Sequence, residues 1–154
     1  MKTQAKQSKR VLAVASSGGH WQQLMRLVPS LRGHRMNYAT TRQSELDDQA
    51  LEGVVLPEAS RSNPLGFLRL AAAAARLVLR ERPDLVVTTG AAPGLVVLFA
   101  ARLFGAQTIW IDSVANVERL SMSGSIAGLL ADRCLTQWAH LARPEGPEYL
   151  GAVL

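Results

Sequence analysis

"VLAVASSGGHWQQLMRL", Val11 to Leu27, is the stretch on which the fold reading turns. Val11–Ala15 is apolar without polar alternation, the mark of a strand buried on both faces. Ser16-Ser17-Gly18-Gly19-His20 then breaks the run as a turn. Leu24, Leu27, Val28 and Leu31 recur at helical spacing, which predicts a helix over Trp21–Leu31. A strand, a glycine turn and a helix in immediate succession open a β-α unit.

The same alternation continues along the chain. Strands are predicted at Met36–Thr40, Val54–Leu56, Leu85–Thr88, Gln107–Ile111 and Arg133–Thr136. Helices are predicted at Ser44–Leu51, Leu65–Glu81, Leu95–Phe104 and over 123–131. Pro64 opens the longest of these and Pro83 stops it. Short connections between alternating strands and helices imply a parallel sheet covered on both faces. The fold class is therefore α/β, a Rossmann-like three-layer domain over residues 11–138. A polar, basic tail at 1–10 precedes it, and a tail at 139–154 follows, where the pattern fades.

With 154 residues, 48% of them hydrophobic, the chain has the size and composition of one folded domain. The formal net charge of +5 fits nucleic acid, an anionic membrane or a phosphorylated small molecule as partner. A merely basic surface fits it too. Aromatic residues are only 5% and scattered, so a base-stacking surface is not expected, and nucleic acid is not the expected partner. Cys134 is the single cysteine, which rules out an internal disulfide and a cysteine metal site. The longest apolar run, Ala91–Ala101, contains Pro93 and Gly94 and falls far short of the ~20 residues a spanning helix needs.

In doubly wound sheets ligands sit at the carboxyl ends of the strands. Three polar or small-residue segments fall on that edge: Ser16–His20, Thr88–Gly94 and Asp112–Arg119. In the first, Gly18 and Gly19 allow close backbone approach, the following helix aims free N–H groups at an anion, and Ser16 and Ser17 add hydroxyls. It is neither the G-x-G-x-x-G pattern nor a P-loop. His20, at the start of that helix, is a candidate neutral base. In "TTGAAPG", Pro93 suits a first helical turn and leaves Gly90, Ala91 and Ala92 free to approach a ligand, with Gly94 closing the loop. Asp112 leaves the fifth strand toward the same edge. It is equally suited to bind a sugar hydroxyl, to act as a base or to cap a helix. On the longest helix, Arg69, Arg76 and Arg80 lie on one ridge of an otherwise apolar circumference. That pattern suits either a core helix with one solvated stripe or a helix at an anionic membrane surface.

"SSGGH", "TTGAAPG", "IWIDS…RLSMSG", "ADRCLTQW" and "YLGAVL", in this order, resemble one family across nearly the whole chain: the acceptor-side, membrane-docking subunits of two-chain GT-B glycosyltransferases. Its eukaryotic member helps add the second N-acetylglucosamine to a dolichol-diphosphate-linked sugar, and bacterial relatives serve exopolysaccharide and capsule assembly. More remotely, the chain is similar to the N-terminal half of the peptidoglycan enzyme that glycosylates a lipid-linked muramyl acceptor.

The resemblance implies one lobe of a GT-B enzyme, acting at the cytoplasmic face of the membrane as a peripheral protein. A catalytic partner chain would bind the nucleotide sugar, and this chain would bind a polyprenyl-diphosphate-linked sugar. Ser17, Gly18, Gly19 and His20 match the loop that faces the acceptor diphosphate. His20 would orient or deprotonate the acceptor hydroxyl. Gly90–Gly94 match a second loop. Asp112 and Ser113 match an acidic position that is more often glutamate in the family. Tyr149, Leu150, Val153 and Leu154 fall in the segment that engages the catalytic partner. Neither a cofactor nor a metal is implied. Eukaryotic members carry an N-terminal membrane anchor that has no counterpart in residues 1–10 here, which would leave membrane contact to Arg69, Arg76 and Arg80. The rival reading, a stand-alone Rossmann-like nucleotide-binding protein, expects an acidic residue after the second strand, where Arg42 stands instead.

Overall fold

Every residue from Val11 to Ala15 is wholly buried, and the alternation of its side chains builds both halves of the core. A computed structural model describes residues 8–60 and 62–153 of the chain. Strand β1 (Arg10–Val14) sends Leu12 and Val14 to one face, where they pack with Leu70, Ala74 and Val97. Val11 and Ala13 go to the other, with Trp21, Leu24 and Leu46. That two-sided burial is why the segment lacks the polar alternation of a half-exposed strand.

The remaining elements are α1 (Gly19–Leu27), β2 (Arg35–Thr40), α2 (Gln43–Asp48), β3 (Gly53–Val55), α3 (Pro64–Glu81), β4 (Leu85–Thr88), α4 (Ala92–Leu103), β5 (Gln107–Ile111), α5 (Met122–Leu130), β6 (Arg133–Thr136) and β7 (Glu148–Tyr149). Among the described residues, seven strands form one sheet in the order β3-β2-β1-β4-β5-β6-β7. Every pairing is parallel. Helices α1 and α2 cover one face, while α3, α4 and α5 cover the other, which gives the three layers expected.

Local chemistry explains the helix starts. The Asn63 side chain accepts from Gly66 N–H at 3.0 Å and Pro64 takes the first turn of α3. Ser121 Oγ accepts from Gly124 N–H at 2.8 Å and opens α5. The predicted helix Trp21–Leu31 divides in two: Pro29 falls in a 3-10 turn, Val28–Leu31, that ends α1.

Past Trp138 the chain stays on the domain. A short 3-10 turn at Ala139–Leu141 leads to β7, which pairs with β6 through Leu135–Glu148 and Thr136–Tyr149. Arg133 and Glu148 form an ion pair between these strands. The boundary expected at 138 is thus crossed by the sheet itself. Residues 1–7 of the expected N-terminal tail lie outside the described residues, while Arg10 starts β1 and pairs with Asp84 at 2.8 Å.

Candidate functional site

Strands β1, β4 and β5 are neighbours, so the loops at their carboxyl ends meet. Between them lies a cleft of about 510 Å³ whose walls include His20, Gly90, Ala92, Ser113, Asn116 and Ser121. The first turns of α4 and α5 both reach it, through Ala92, Met122 and Ser123. Ala91 places no side chain over the N-terminus of α4, so that end of the helix is open. Pro93 carries no N–H and Gly94 does not line the cleft, so the Ala92 N–H and the positive end of the helix dipole are what favour an anion there.

His20 is fixed by Thr89, the residue that follows β4. Its Nδ1 lies 2.8 Å from the Thr89 carbonyl oxygen, and Thr89 Oγ1 donates to the His20 carbonyl at 2.6 Å. A carbonyl only accepts, so Nδ1 carries the proton and a neutral ring leaves Nε2 as the acceptor. Gly90 makes room for the ring: a Cβ there would stand 2.9 Å from both Cε1 and Nδ1, and its φ of +115° is one that side chains rarely adopt.

The structure brings His20, Gly90, Ala91, Ala92 and Ser113 together around the cleft and gives the other predicted residues different work. Ser16 N–H donates to the Gly90 carbonyl and Ser17 N–H to Thr41 Oγ1, so this backbone ties β1 to its two neighbours. Gly18 N–H donates to Glu45 Oε1 at 2.8 Å. The anion position expected at Ser16–Gly19 is therefore taken, at Gly18, by the chain's own carboxylate, and these four residues do not line the cleft. Gly94 is required for packing: a Cβ would fall 2.0 Å from Thr88 Oγ1.

Asp112 needs the same correction. It is only 2% exposed and does not line the cleft. Its Oδ1 accepts from Trp110 Nε1 at 3.1 Å and from Ser121 Oγ at 2.6 Å. Its Oδ2 accepts from Asn116 Nδ2 at 3.0 Å and from Ser121 N–H at 2.8 Å. Four donors fill the roughly four acceptor positions of a carboxylate, so no lone pair is left to take a proton from a ligand. The group holds the loop 112–121 in shape and reaches the cleft only through its donors Trp110, Asn116 and Ser121.

Beyond Phe67, Leu95, Val96 and Ile126 the cleft runs into an apolar groove between α3, α4 and α5. Pro64, Leu68, Ala71, Phe99 and Leu130 complete its lining, and its volume is about 800 Å³. Leu68 is 67% exposed, and Leu65, Phe99, Met122 and Leu129 are also open to solvent nearby. An exposed apolar face of this kind is a candidate binding surface.

The sequence model of the family "Oligosaccharide biosynthesis protein Alg14 like" matches residues 58–153. The chain belongs to the Alg14-like family. The "UDP-N-acetylglucosamine transferase subunit ALG14" of Rattus norvegicus is 28% identical over 184 residues, covering 97% of this chain and 85% of its own. The protein of the same name from Yarrowia lipolytica is 26% identical, over 86% of this chain and 75% of its own. The family is one of glycosyltransferase subunits. Among solved structures, MurG of Acinetobacter baumannii superposes with a TM-score of 0.74 at 16% identity, over 94% of this chain and 45% of the MurG chain. A UDP co-structure of S. aureus MnaA gives 0.67 at 14%, over 84% and 39%. At such identities the likeness is one of fold, a Rossmann-like lobe of the GT-B kind spanning less than half of either solved chain.

In this Alg14-like chain the arginine ridge borders an apolar stripe. At about 100° per residue, Arg69, Arg76 and Arg80 lie on one flank of the exposed Leu65, Leu68 and Leu79 of α3. Arg80 also pairs with Glu81 at 2.6 Å, which leaves Arg69 and Arg76 as the better placed cations. No helix among the described residues is long and apolar enough to cross a membrane. At the β7 edge of the sheet, Tyr149 in that strand and Leu150 just after it are exposed, Val153 is half-buried, and Leu154 lies outside the described residues. Sequence reasoning missed Gln23 and Gln137, both buried behind the cleft, because their contact joins positions far apart in the chain.

Proposed function

We propose that this chain is the acceptor-binding subunit of a two-chain glycosyltransferase. A partner chain binds the nucleotide sugar, and the sugar passes to a polyprenyl-diphosphate-linked acceptor held here. One observation carries this reading: a cleft reached by an uncapped helix N-terminus shares the walls Phe67, Leu95, Val96 and Ile126 with an adjoining apolar groove. A diphosphate suits the first and an isoprenoid chain the second.

In this reading His20 Nε2 faces the acceptor sugar and receives or orients the hydroxyl proton, with Nδ1–H anchored on Thr89. The hydroxyl oxygen attacks the anomeric carbon as the nucleotide diphosphate leaves from the opposite side, so the configuration inverts. The rim of the groove, with Leu65, Leu68 and Phe99, rests on the membrane, and Arg69 and Arg76 meet anionic headgroups. The exposed Tyr149 and Leu150 begin the segment that docks the partner.

The test is co-expression with a donor-binding chain and transfer of label from nucleotide sugars to a polyprenyl-diphosphate-linked sugar. Transfer should require both chains; equal transfer without this one refutes the reading. Full activity in His20→Ala removes His20 from the chemistry. Deleting residues 149–154 should abolish co-purification with the partner.

A further inference from the structure

Gln23 on α1 and Gln137 just beyond β6 are 8% and 4% exposed, and backbone groups fix the orientation of both amides. Val114 N–H donates to Gln23 Oε1 at 3.1 Å, so the other end of that amide, Nε2, is the one that donates to Ser113 Oγ at 3.1 Å. Val153 N–H donates to Gln137 Oε1 at 2.7 Å. Gln137 Nε2 donates to the Asp112 carbonyl at 2.9 Å and to Gln23 Oε1 at 2.7 Å. Three of these bonds thus run one way, from Val153 in the C-terminal segment through two amides to Ser113.

Ser113 Oγ also accepts from Ala115 N–H at 3.3 Å. A hydroxyl has two lone pairs and one hydrogen. With both lone pairs taken by chain donors, its hydrogen points away from them, and Ser113 lines the cleft. We propose that Gln137 and Gln23 are positioning residues that hold the Ser113 hydroxyl as a hydrogen-bond donor to a phosphoryl oxygen of the bound acceptor. The identity of that oxygen rests on the acceptor reading above; the relay itself does not. The relay also links the cleft to Val153, inside the segment assigned to partner docking.

The relay is tested without ligand by placing a thiol at its end. Ser113→Cys is alkylated with iodoacetamide across a pH series, alone and combined with Gln23→Met. Donation into a thiolate stabilises it, so the alkylation midpoint should rise by about one pH unit when Gln23→Met is added. Equal midpoints overturn the relay. Cys134 adds little background, because it is buried and its thiol is pushed up to about 11, chiefly by desolvation.

Binding of farnesyl diphosphate to the full chain supplies the second measurement, and its Ser113→Ala arm does not depend on the folding of the Gln23 variant. Ser113→Ala should weaken it about tenfold, the loss of one hydrogen bond to a charged oxygen. Gln23→Met in that background should weaken it no further. Unchanged affinity in Ser113→Ala overturns the proposed donor role. If the unaltered chain fails to bind farnesyl diphosphate, the diphosphate reading of the cleft falls, and the thiol midpoints alone decide the relay.

Discussion

Replacing Asp112 by asparagine separates a structural carboxylate from a chemical one. The amide has the same shape, but one of its ends is an NH₂. Turned one way, that end faces Asn116 Nδ2 and Ser121 N–H; turned the other, it faces Trp110 Nε1 and Ser121 Oγ–H. In either case only one bond is lost outright, to Ser121 N–H or to Trp110 Nε1, at roughly 1.5–3 kcal/mol, because the Asn116 amide can flip and the Ser121 hydroxyl can rotate to accept; the other three lose their charged acceptor, and the sum is roughly 3–6 kcal/mol. Asn116 and Ser121 are only half-buried, so water recovers part of the loss and the low end, about 3 kcal/mol, is expected. For a chain of this size that is a fall in Tm of about 6–12 °C. Thermal unfolding followed by circular dichroism measures it, and hydrogen exchange over 112–124 should show protection lost there first. Wild-type stability and exchange in Asp112→Asn, together with abolished transfer, would refute this reasoning and return the carboxylate to the chemistry.

Gly94→Ala should cost about 1–3 kcal/mol, because its Cβ meets Thr88 Oγ1 in a packed site; an unchanged urea midpoint would contradict the packing role. Leu68→Glu should weaken co-sedimentation with anionic vesicles at every salt concentration, whereas Arg69→Gln with Arg76→Gln should weaken it mainly at low salt. Identical salt profiles for the two would refute the division of roles. The Arg10 side chain, then its backbone N–H, hold the Asp84 carboxyl down to about 2 from an ordinary 3.8. A depressed folded-state pKa stabilises fully above the ordinary value, and that contribution is lost as pH falls through about 2. Asp84→Asn should therefore flatten the stability profile between pH 3.8 and about 2 and leave the slope near neutrality alone; an unaltered acid limb would count against it.

The parts legible in the sequence are those set by local pattern. Leu85–Thr88, Gln107–Ile111 and Arg133–Thr136 were bounded by apolar runs and breakers, and the strands form over those residues. Strand β7 carries no such signal. Glu148 and Tyr149 are extended because the open edge of β6 offers a ladder, which only the folded sheet contains. The glycine loop was legible as an anion site, but not that α2 would deliver Glu45 to Gly18. For Asp112, both the cap-like and the ligand-binding roles suit an acid after a strand. What separates them is the arrival of Trp110, Asn116 and Ser121 as donors, a tertiary event. The groove was hidden for a related reason: the apolar circumference of this helix suits a core helix and a membrane-surface helix alike, and only the packing of α3 against α4 shows that Leu65 and Leu68 are left uncovered.

The strand order has a consequence for how the chain is made. β1 is translated first yet lies inside the sheet, between β2, which follows soon after, and β4, which ends at Thr88. Until that residue has left the ribosome, Val11–Ala15 keeps one edge unpaired. Such an edge is a template for pairing with other chains. Nascent chains stalled before Thr88 should therefore be bound by chaperones. Release should come once β4 closes against β1, well before β7 has been synthesised.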